Sequence, residues 1–193
     1  MNKYIVFLFY LVLAGCVNLV NAKECANPPL PKENLVDIFA KRMAIKGRWS
    51  YVGLDQRKME TSLTIREDGC NYTISLDKPI ETWGKEEQAT VKADRMGNVI
   101  YEYFVSHRLS KEEKTCDDPP LSGEQLIDIY AGEISRRSAT KAEDIKIGKT
   151  YFISEDDHDK CNYVVFSSGI LYGSAGPYVK INRKRKVLEY MLG

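Results

Sequence analysis

The stretch CDDPPLSGEQLIDIYA, residues 116–131, repeats the pattern of an earlier stretch, CANPPLPKENLVDIFA, residues 25–40. Each consists of a Cys, a Pro pair and an amphipathic run. Shifting the sequence by 91 positions aligns the two stretches, and the same shift aligns residues 70–72 (CNY) with residues 161–163 (CNY). Identical Cys spacing with matched flanks is hard to obtain by chance. The sequence therefore predicts an internal duplication.

A helix is predicted after each Pro pair. Apolar side chains recur there at intervals of four residues: Leu35, Phe39 and Met43 in the first half, and Leu126, Tyr130 and Ile134 in the second. This spacing places them on one helix face. Ser122 and Gln125 have the spacing of a capping box, which marks where the second helix begins.

Strands are predicted in the rest of each half. Segments rich in β-branched and aromatic residues lie at 62–66, 71–76, 151–154 and 162–167. A hairpin ends each half, at 91–105 and 179–192, with a shift of about 88 that aligns Glu-Tyr at 102–103 with Glu-Tyr at 189–190. Residues 47–52 resemble residues 148–153 at another offset, which leaves room for an extra strand in the first half.

We therefore predict an α+β fold made of two tandem repeats. Each repeat is expected to pack one helix on an antiparallel sheet of three to five strands. The predicted boundaries are an export signal at 1–22, a first repeat unit at 23–110 and a second at 111–193.

The chain has five cysteines, and an odd thiol in an exported protein needs an explanation. Once Cys16 is acylated or removed with the signal, Cys25, Cys70, Cys116 and Cys161 remain. Four cysteines allow three connectivities. The duplication selects one of them, because a copied unit that once folded alone would carry its own bond: Cys25 to Cys70, and Cys116 to Cys161.

The first residues have the character of an export signal. Lys3 precedes an unbroken apolar and aromatic run at 4–13, and the next charged residue is Lys23. Two processing sites compete. Residues 13–16 (LAGC) match the lipobox of bacterial lipoproteins, in which Cys16 becomes the lipid-modified first residue, whereas residues 20–22 (VNA) allow an ordinary signal-peptidase cut after residue 22. We expect an exported, periplasmic protein, anchored to the bacterial membrane through Cys16 under the first alternative.

The charge balance disfavours one class of partner. Lys3 is the only charged residue in the signal, so the remainder carries 27 basic and 27 acidic residues. Proteins dedicated to nucleic acid depend on excess positive charge. We therefore expect no nucleic-acid partner.

Motifs for catalysis are absent from the sequence. The chain has two His residues, His107 and His158, and it contains no G-x-S-x-G, P-loop, H-E-x-x-H or paired C-x-x-C motif. The acidic loop at 155–159 lacks the ligand spacing and the central Gly of an EF-hand. We predict that the protein is not an enzyme and has no metal or other cofactor. A small periplasmic hydrolase assembled from distant residues remains the less favoured alternative.

Two kinds of segment are candidates for binding a protein partner. Loops that combine apolar side chains with Gly or Pro are typical recognition surfaces, and two such loops contain Ile80, Trp83, Ile170, Leu171 and Tyr172. The second kind is a basic cluster at a hairpin turn: Arg183, Lys184, Arg185 and Lys186.

The predicted plan is similar to that of the secreted β-lactamase inhibitory protein, in which tandem helix-plus-sheet units form a surface that covers an enzyme. This resemblance implies a binding role. We expect an exported envelope protein that binds and neutralises a periplasmic protein, as an immunity protein or an enzyme inhibitor does. The alternative is a structural or assembly lipoprotein of the bacterial envelope.

Overall fold

The computed structural model describes residues 25–45, 63–82, 85–108, 115–169 and 175–191. Within these ranges the chain has an α+β fold. Its elements are α1 (Lys32–Ile45), β1 (Leu63–Asp68), β2 (Asn71–Leu76), β3 (Ile80–Thr82), β4 (Lys85–Asp94), β5 (Val99–Arg108), α2 (Gly123–Arg137), α3 (Ala142–Lys146), β6 (Lys149–Glu155), β7 (Asn162–Gly169), β8 (Ala175–Asn182) and β9 (Val187–Met191). The predicted helix after each Pro pair and the predicted strands are confirmed, whereas α3 was not predicted. The extra strand suggested for residues 47–52 lies outside the described residues.

The nine strands form one sheet, although the sequence predicted a separate sheet in each half. The strand order is β1-β2-β4-β5-β6-β7-β8-β9, and β3 also pairs with β4. All described neighbours are antiparallel except β5 and β6, which pair in parallel. This one parallel pairing joins the halves, because it satisfies the backbone groups of two strand edges that would otherwise be left open.

The two long helices pack on opposite faces of the sheet. Side chains of directly paired residues share a face, and side chains alternate between faces along a strand. Phe104 on β5 pairs with Phe152 and belongs to the core under α1, whereas the neighbouring Tyr103 pairs with Tyr151 and packs against the core under α2. Strand β5 therefore contributes to both cores.

Each core is built from the predicted helix face and the inward side chains of the sheet. In the first core, Leu35, Phe39 and Met43 are buried with Ile74 and Val91. In the second core, the buried side chains include Leu126, Ile127, Tyr130, Tyr151 and Val165. Among the helices that the structure describes, none has the length and apolar character needed to cross a lipid bilayer.

Both predicted disulfides are present. Cys25 pairs with Cys70 and Cys116 with Cys161, and their Cα–Cα distances are 5.5 and 5.7 Å. Each bond closes a loop with a sequence separation of 45. Disulfides persist in oxidising compartments, so these two bonds fit an exported protein.

Further contacts correspond between the halves. The hydroxyl of Tyr72 accepts a hydrogen bond from the Leu30 N–H at 2.8 Å, and the hydroxyl of Tyr163 accepts one from the Leu121 N–H at 3.3 Å. Both bonds tie the segment before a helix to the sheet. The predicted capping box is also observed, since Ser122 and Gln125 each bond the other's backbone N–H.

The two terminal hairpins have the same turn. Gly97 and Arg185 both adopt a positive φ, of 85° and 64°. The strand pairing on either side also matches, with Ala93 opposite Val99 and Ile181 opposite Val187.

The register of these hairpins corrects one detail of the sequence alignment. It places Glu102 at the position equivalent to Tyr190, because Glu102 pairs with Val91 and Tyr190 with Val179. The Glu-Tyr alignment at 102–103 and 189–190 is therefore wrong by one residue. Glu102 is buried, whereas Glu189 is exposed.

Candidate partner-binding surfaces

The described helices α1 and α2 each cover one face of one half of the sheet, and the opposite face of each half carries a row of paired side chains. In the first half the row crosses β1, β2, β4 and β5 and is called here the hydroxyl row: Thr64, Ser75, Thr90 and Tyr103. In the second half the row crosses β6 to β9 and is called the aromatic row: Phe152, Phe166, Tyr178 and Met191. The two rows lie on opposite faces.

The aromatic row is continuous from the first core to the edge of the sheet. It starts beside the buried Phe104, whose ring stacks on Phe152 with centroids 5.7 Å apart. Phe152 in turn stacks on Phe166 at 5.0 Å. Phe152, Phe166 and Tyr178 are partly exposed, and Met191 is 52% exposed. The row thus extends from a buried ring to an exposed side chain on β9.

Polar groups border the outer part of this row. The hydrogen bond between the Tyr178 hydroxyl and the Glu189 carboxylate, together with partial burial, raises the pKa of Tyr178 to about 12. Lys180, two residues further along β8, forms an ion pair with Asp156. A surface of this kind presents large apolar side chains with a polar rim, which is the usual composition of a protein interface.

A buried ion pair lies beside the aromatic row, two residues along β5 from Phe104. The carboxylate of Glu102 is fully buried and accepts two hydrogen bonds from the Arg42 guanidinium, both 2.7 Å long. The Thr150 hydroxyl donates a third at 2.8 Å. These contacts fix the last turns of α1 over β5 and β6. Their role is structural, because the Glu102 charge is paired and has no access to solvent.

Three members of the hydroxyl row, Ser75, Thr90 and Tyr103, line a groove of about 680 Å³. Arg66, Thr73 and Gln88 line it beside the row, and residues 121–124 at the start of α2 form one wall. The helix start lies so close to the sheet that a Cβ at Gly123 would be 2.3 Å from the Tyr103 ring. Burial raises the pKa of Tyr103, against a smaller opposite effect of its hydrogen bond with Thr90. The groove is therefore polar, and its helix wall is fixed by close packing.

The predicted basic cluster divides into one inward and three outward side chains. The Arg183 guanidinium donates to the Asp118 carbonyl at 3.1 Å, just as the Arg95 guanidinium donates to the Asn27 carbonyl at 3.0 Å in the first half. Arg183 thus holds its turn against the segment that follows Cys116. Lys184, Arg185 and Lys186 are exposed on the turn before β9.

The structure places only one of the predicted loop residues. Ile80 begins β3 and packs, partly buried, against the first core. The other predicted residues lie outside the described residues: Trp83, Ile170, Leu171, Tyr172 and the lipidation candidate Cys16.

The strand ends next to those loops lie far apart. Lys85, where β4 begins, pairs with Arg108 at the end of β5. Gly169, where β7 ends, pairs with Lys149 at the start of β6. Since β5 and β6 are parallel, these two places are at opposite ends of the sheet. The partner-binding role of the loops stays a prediction.

Sequence reasoning missed the aromatic row. A signal was present, because the strand KTYFISE at 149–155 has Tyr151 and Ile153 on one face and Phe152 on the other. Apolar residues on both faces of a strand indicate that both faces are in contact with something. Within the described ranges, no group of three or more His, Cys, Asp or Glu side chains is arranged to hold a metal ion.

Comparisons with protein-family models, with curated proteins and with solved structures find no match for this chain.

Proposed function

We propose that this protein is an exported binding protein, built from two copies of one helix-plus-sheet unit, that binds and neutralises a protein partner through the aromatic row. The duplication is supported by the matched disulfides, the matched Tyr72 and Tyr163 hydrogen bonds and the matched hairpin turns. The role is that of an inhibitor or an immunity protein.

The aromatic row is the observation that carries the proposal. Contiguous exposed apolar surface is unusual in soluble proteins and marks interaction sites. Aromatic side chains supply much of the binding energy at protein interfaces. A rigid sheet also holds Phe166 and Tyr178 in place before binding, so that little conformational entropy is lost when a partner covers them.

The membrane anchor belongs to the same proposal. We infer that Cys16 is lipidated and that the protein is tethered in the periplasm. Metabolic labelling with radioactive palmitate tests this, since the wild-type chain should incorporate label and the Cys16→Ser chain should not. Equal labelling of both chains would contradict the anchor and leave the binding role unaffected.

Affinity capture from the exported fraction tests the binding role. The bait is the full mature chain, compared with a Tyr178→Ala/Met191→Ala variant of the aromatic row and a Thr64→Ala/Ser75→Ala variant of the hydroxyl row. We expect the wild type and the hydroxyl-row variant to retain one protein in equimolar amount, and the aromatic-row variant to lose it. Circular dichroism checks that all three chains are folded.

Neutralisation needs a second measurement. Purified wild-type protein, added to the captured partner, should abolish that partner's own activity at a one-to-one ratio, and the aromatic-row variant should not. A partner that is retained equally by both variants, or whose activity is unchanged by the wild type, would refute the proposed function.

A further inference from the structure

Strand β9 is the last strand of the sheet, and among the described strands it pairs only with β8. On the face of the sheet that α2 covers, Val187 and Tyr190 pack against the second core. The Arg137 guanidinium lies over the Tyr190 ring at 4.1 Å. The strand is therefore held firmly. The backbone N–H and C=O groups on the outer side of such an edge can pair with another strand.

The other end of the sheet differs in charge. Strand β1 ends with three exposed charged residues, Arg66, Glu67 and Asp68, which are typical of an edge protected against pairing. Strand β9 has one charged residue, Glu189, and two exposed apolar ones, Leu188 at 45% and Met191 at 52%. Within the part of the chain that the structure describes, the edge at β9 thus lacks that protection.

Two features of β9 specify what would pair with it. The aromatic row reaches the edge at Met191, so an added strand with an apolar side chain beside Met191 would extend the row. At the other end of β9, the exposed Lys184 and Lys186 stand at the turn that precedes Val187. Acidic side chains beside them would find opposite charge.

Resting on the proposed function, we infer that the partner adds an extended segment as a new strand antiparallel to β9, with apolar residues beside Met191 and acidic residues beside Lys184 and Lys186. Strand addition at a sheet edge is a general mode of peptide recognition, in which main-chain hydrogen bonds provide affinity and alternate side chains provide specificity. The antiparallel direction is the more stable pairing per residue.

A second copy of this chain fits the edge less well. Inside the molecule, β5 pairs with β6 while presenting Tyr101 and Tyr103 to α2. The equivalent positions on β9 are Glu189 and Met191, so one of the two aromatic contacts is replaced by a carboxylate. The same junction cannot be repeated between two copies without burying that charge.

A synthetic peptide tests the inference on the wild-type chain. The probe is a fluorescein-labelled peptide in which valine and threonine alternate and glutamates form the C-terminal end; the controls carry the glutamates at the N-terminal end or have lysines instead. We expect fluorescence anisotropy to show saturable binding that is strongest for the first peptide. No saturable binding up to about 1 mM peptide would overturn the inference.

N-methylation of the peptide separates strand pairing from simple adhesion. In an antiparallel pair only alternate N–H groups of the added strand point at β9. We expect methylation of one alternate set to abolish binding and methylation of the other set to leave it within about twofold. Equal effects of the two sets would overturn the inference.

Charge reversal tests the basic turn. The Lys184→Glu/Lys186→Glu variant should bind the first peptide about tenfold more weakly, because two attractions become repulsions. Lys41→Glu/Lys78→Glu, at two exposed sites on the first half, is the matched control and should bind as the wild type does. Equal losses in both variants would count against the turn.

The outcomes distinguish this inference from the proposed function. If capture of the partner depends on Tyr178 and Met191 but neither N-methylation nor Lys184→Glu/Lys186→Glu matters, the binding role stands and strand addition is refuted. Sedimentation velocity completes the test. Self-association of the wild type that Met191→Arg abolishes would assign the edge to a second copy and overturn the inference.

Discussion

The hydroxyl row and the aromatic row occupy equivalent positions of the two halves, yet they have opposite chemistry. Thr64, Ser75 and Thr90 in the first half correspond by register to Phe152, Phe166 and Tyr178 in the second. The cores behind the rows are similar, since both consist of a helix on inward apolar side chains. The halves therefore share what stabilises the fold and differ on the surface that is available to a partner.

The boundaries of the two rows differ as well. The aromatic row is bordered by the buried Arg42–Glu102 ion pair, which lies two residues along β5 from Phe104. The hydroxyl row is bordered by the start of α2, where Gly123 packs closely on Tyr103. One boundary depends on charge and the other on shape. This comparison can be tested by changing each boundary and each row in turn.

The largest effect is expected at the charged boundary. Arg42→Ala leaves the fully buried Glu102 carboxylate without its guanidinium and should lower the free energy of unfolding by about 3 to 5 kcal/mol. Denaturant unfolding followed by circular dichroism measures it. The control is Arg136→Ala, which removes an exposed partner of Glu133 and should change stability little. Equal losses in both variants would show that the buried ion pair stabilises the fold no more than the exposed one does.

High pH should reveal the next effect, in the second core. Burial raises the pKa values of Tyr101, Tyr130 and Tyr151 above the ordinary value. Above about pH 10 the unfolded chain loses these protons while the folded chain keeps them, so the free energy of unfolding falls as pH rises. Urea unfolding at a series of pH values checks this. Tyr101→Phe should flatten the decline, and an unchanged slope would contradict the assignment.

The boundary that depends on shape should give a smaller loss. Gly123→Ala places a methyl group against the Tyr103 ring and should cost about 1 to 3 kcal/mol. Gly132→Ala in the same helix meets no atom within 4 Å and should stabilise by about 0.5 to 1 kcal/mol. Thermal unfolding of the two variants compares them directly. A stabilised Gly123→Ala protein would mean that α2 can move away from the groove.

Exchanging residues between the rows should have the smallest effect on stability. Phe166→Ser removes a half-buried ring and should cost about 1 kcal/mol, whereas Ser75→Phe should change stability by less than about 0.5 kcal/mol. Partner capture should be lost in the first variant and kept in the second. If both variants keep the partner, the difference between the rows is not functional.

Local features of the fold were predictable from the sequence because they depend on short-range patterns. The helix faces at Leu35 and Leu126 follow from four-residue spacing, and the Ser122 capping box involves residues three apart. The disulfide pairing followed from the predicted duplication, because a copied unit is expected to carry its own bond. Ile80 packs, partly buried, against the first core, and its contact with a partner stays a prediction.

The aromatic row and the single sheet were not predictable in this way. Phe152 and Phe166 become neighbours only through the β6–β7 register, and they meet Phe104 only because β5 pairs with β6 in parallel. The loops with apolar residues and Gly are recognisable in the sequence because their residues are contiguous. A face shared by four strands is built from residues that are distant in the sequence.

The sequence by itself determined the two long helices, most of the strands and the two disulfides, because each follows from side-chain spacing or from the repeated Cys pattern. The tertiary structure decided that the two halves share one sheet and that α1 and α2 cover opposite faces of it. The reason is the parallel pairing of β5 with β6. In the first half α1 covers the face that carries Phe104, whereas in the second half α2 covers the opposite face, which carries Tyr151. That pairing leaves Phe166 and Tyr178 on the side of the second half that α2 does not cover.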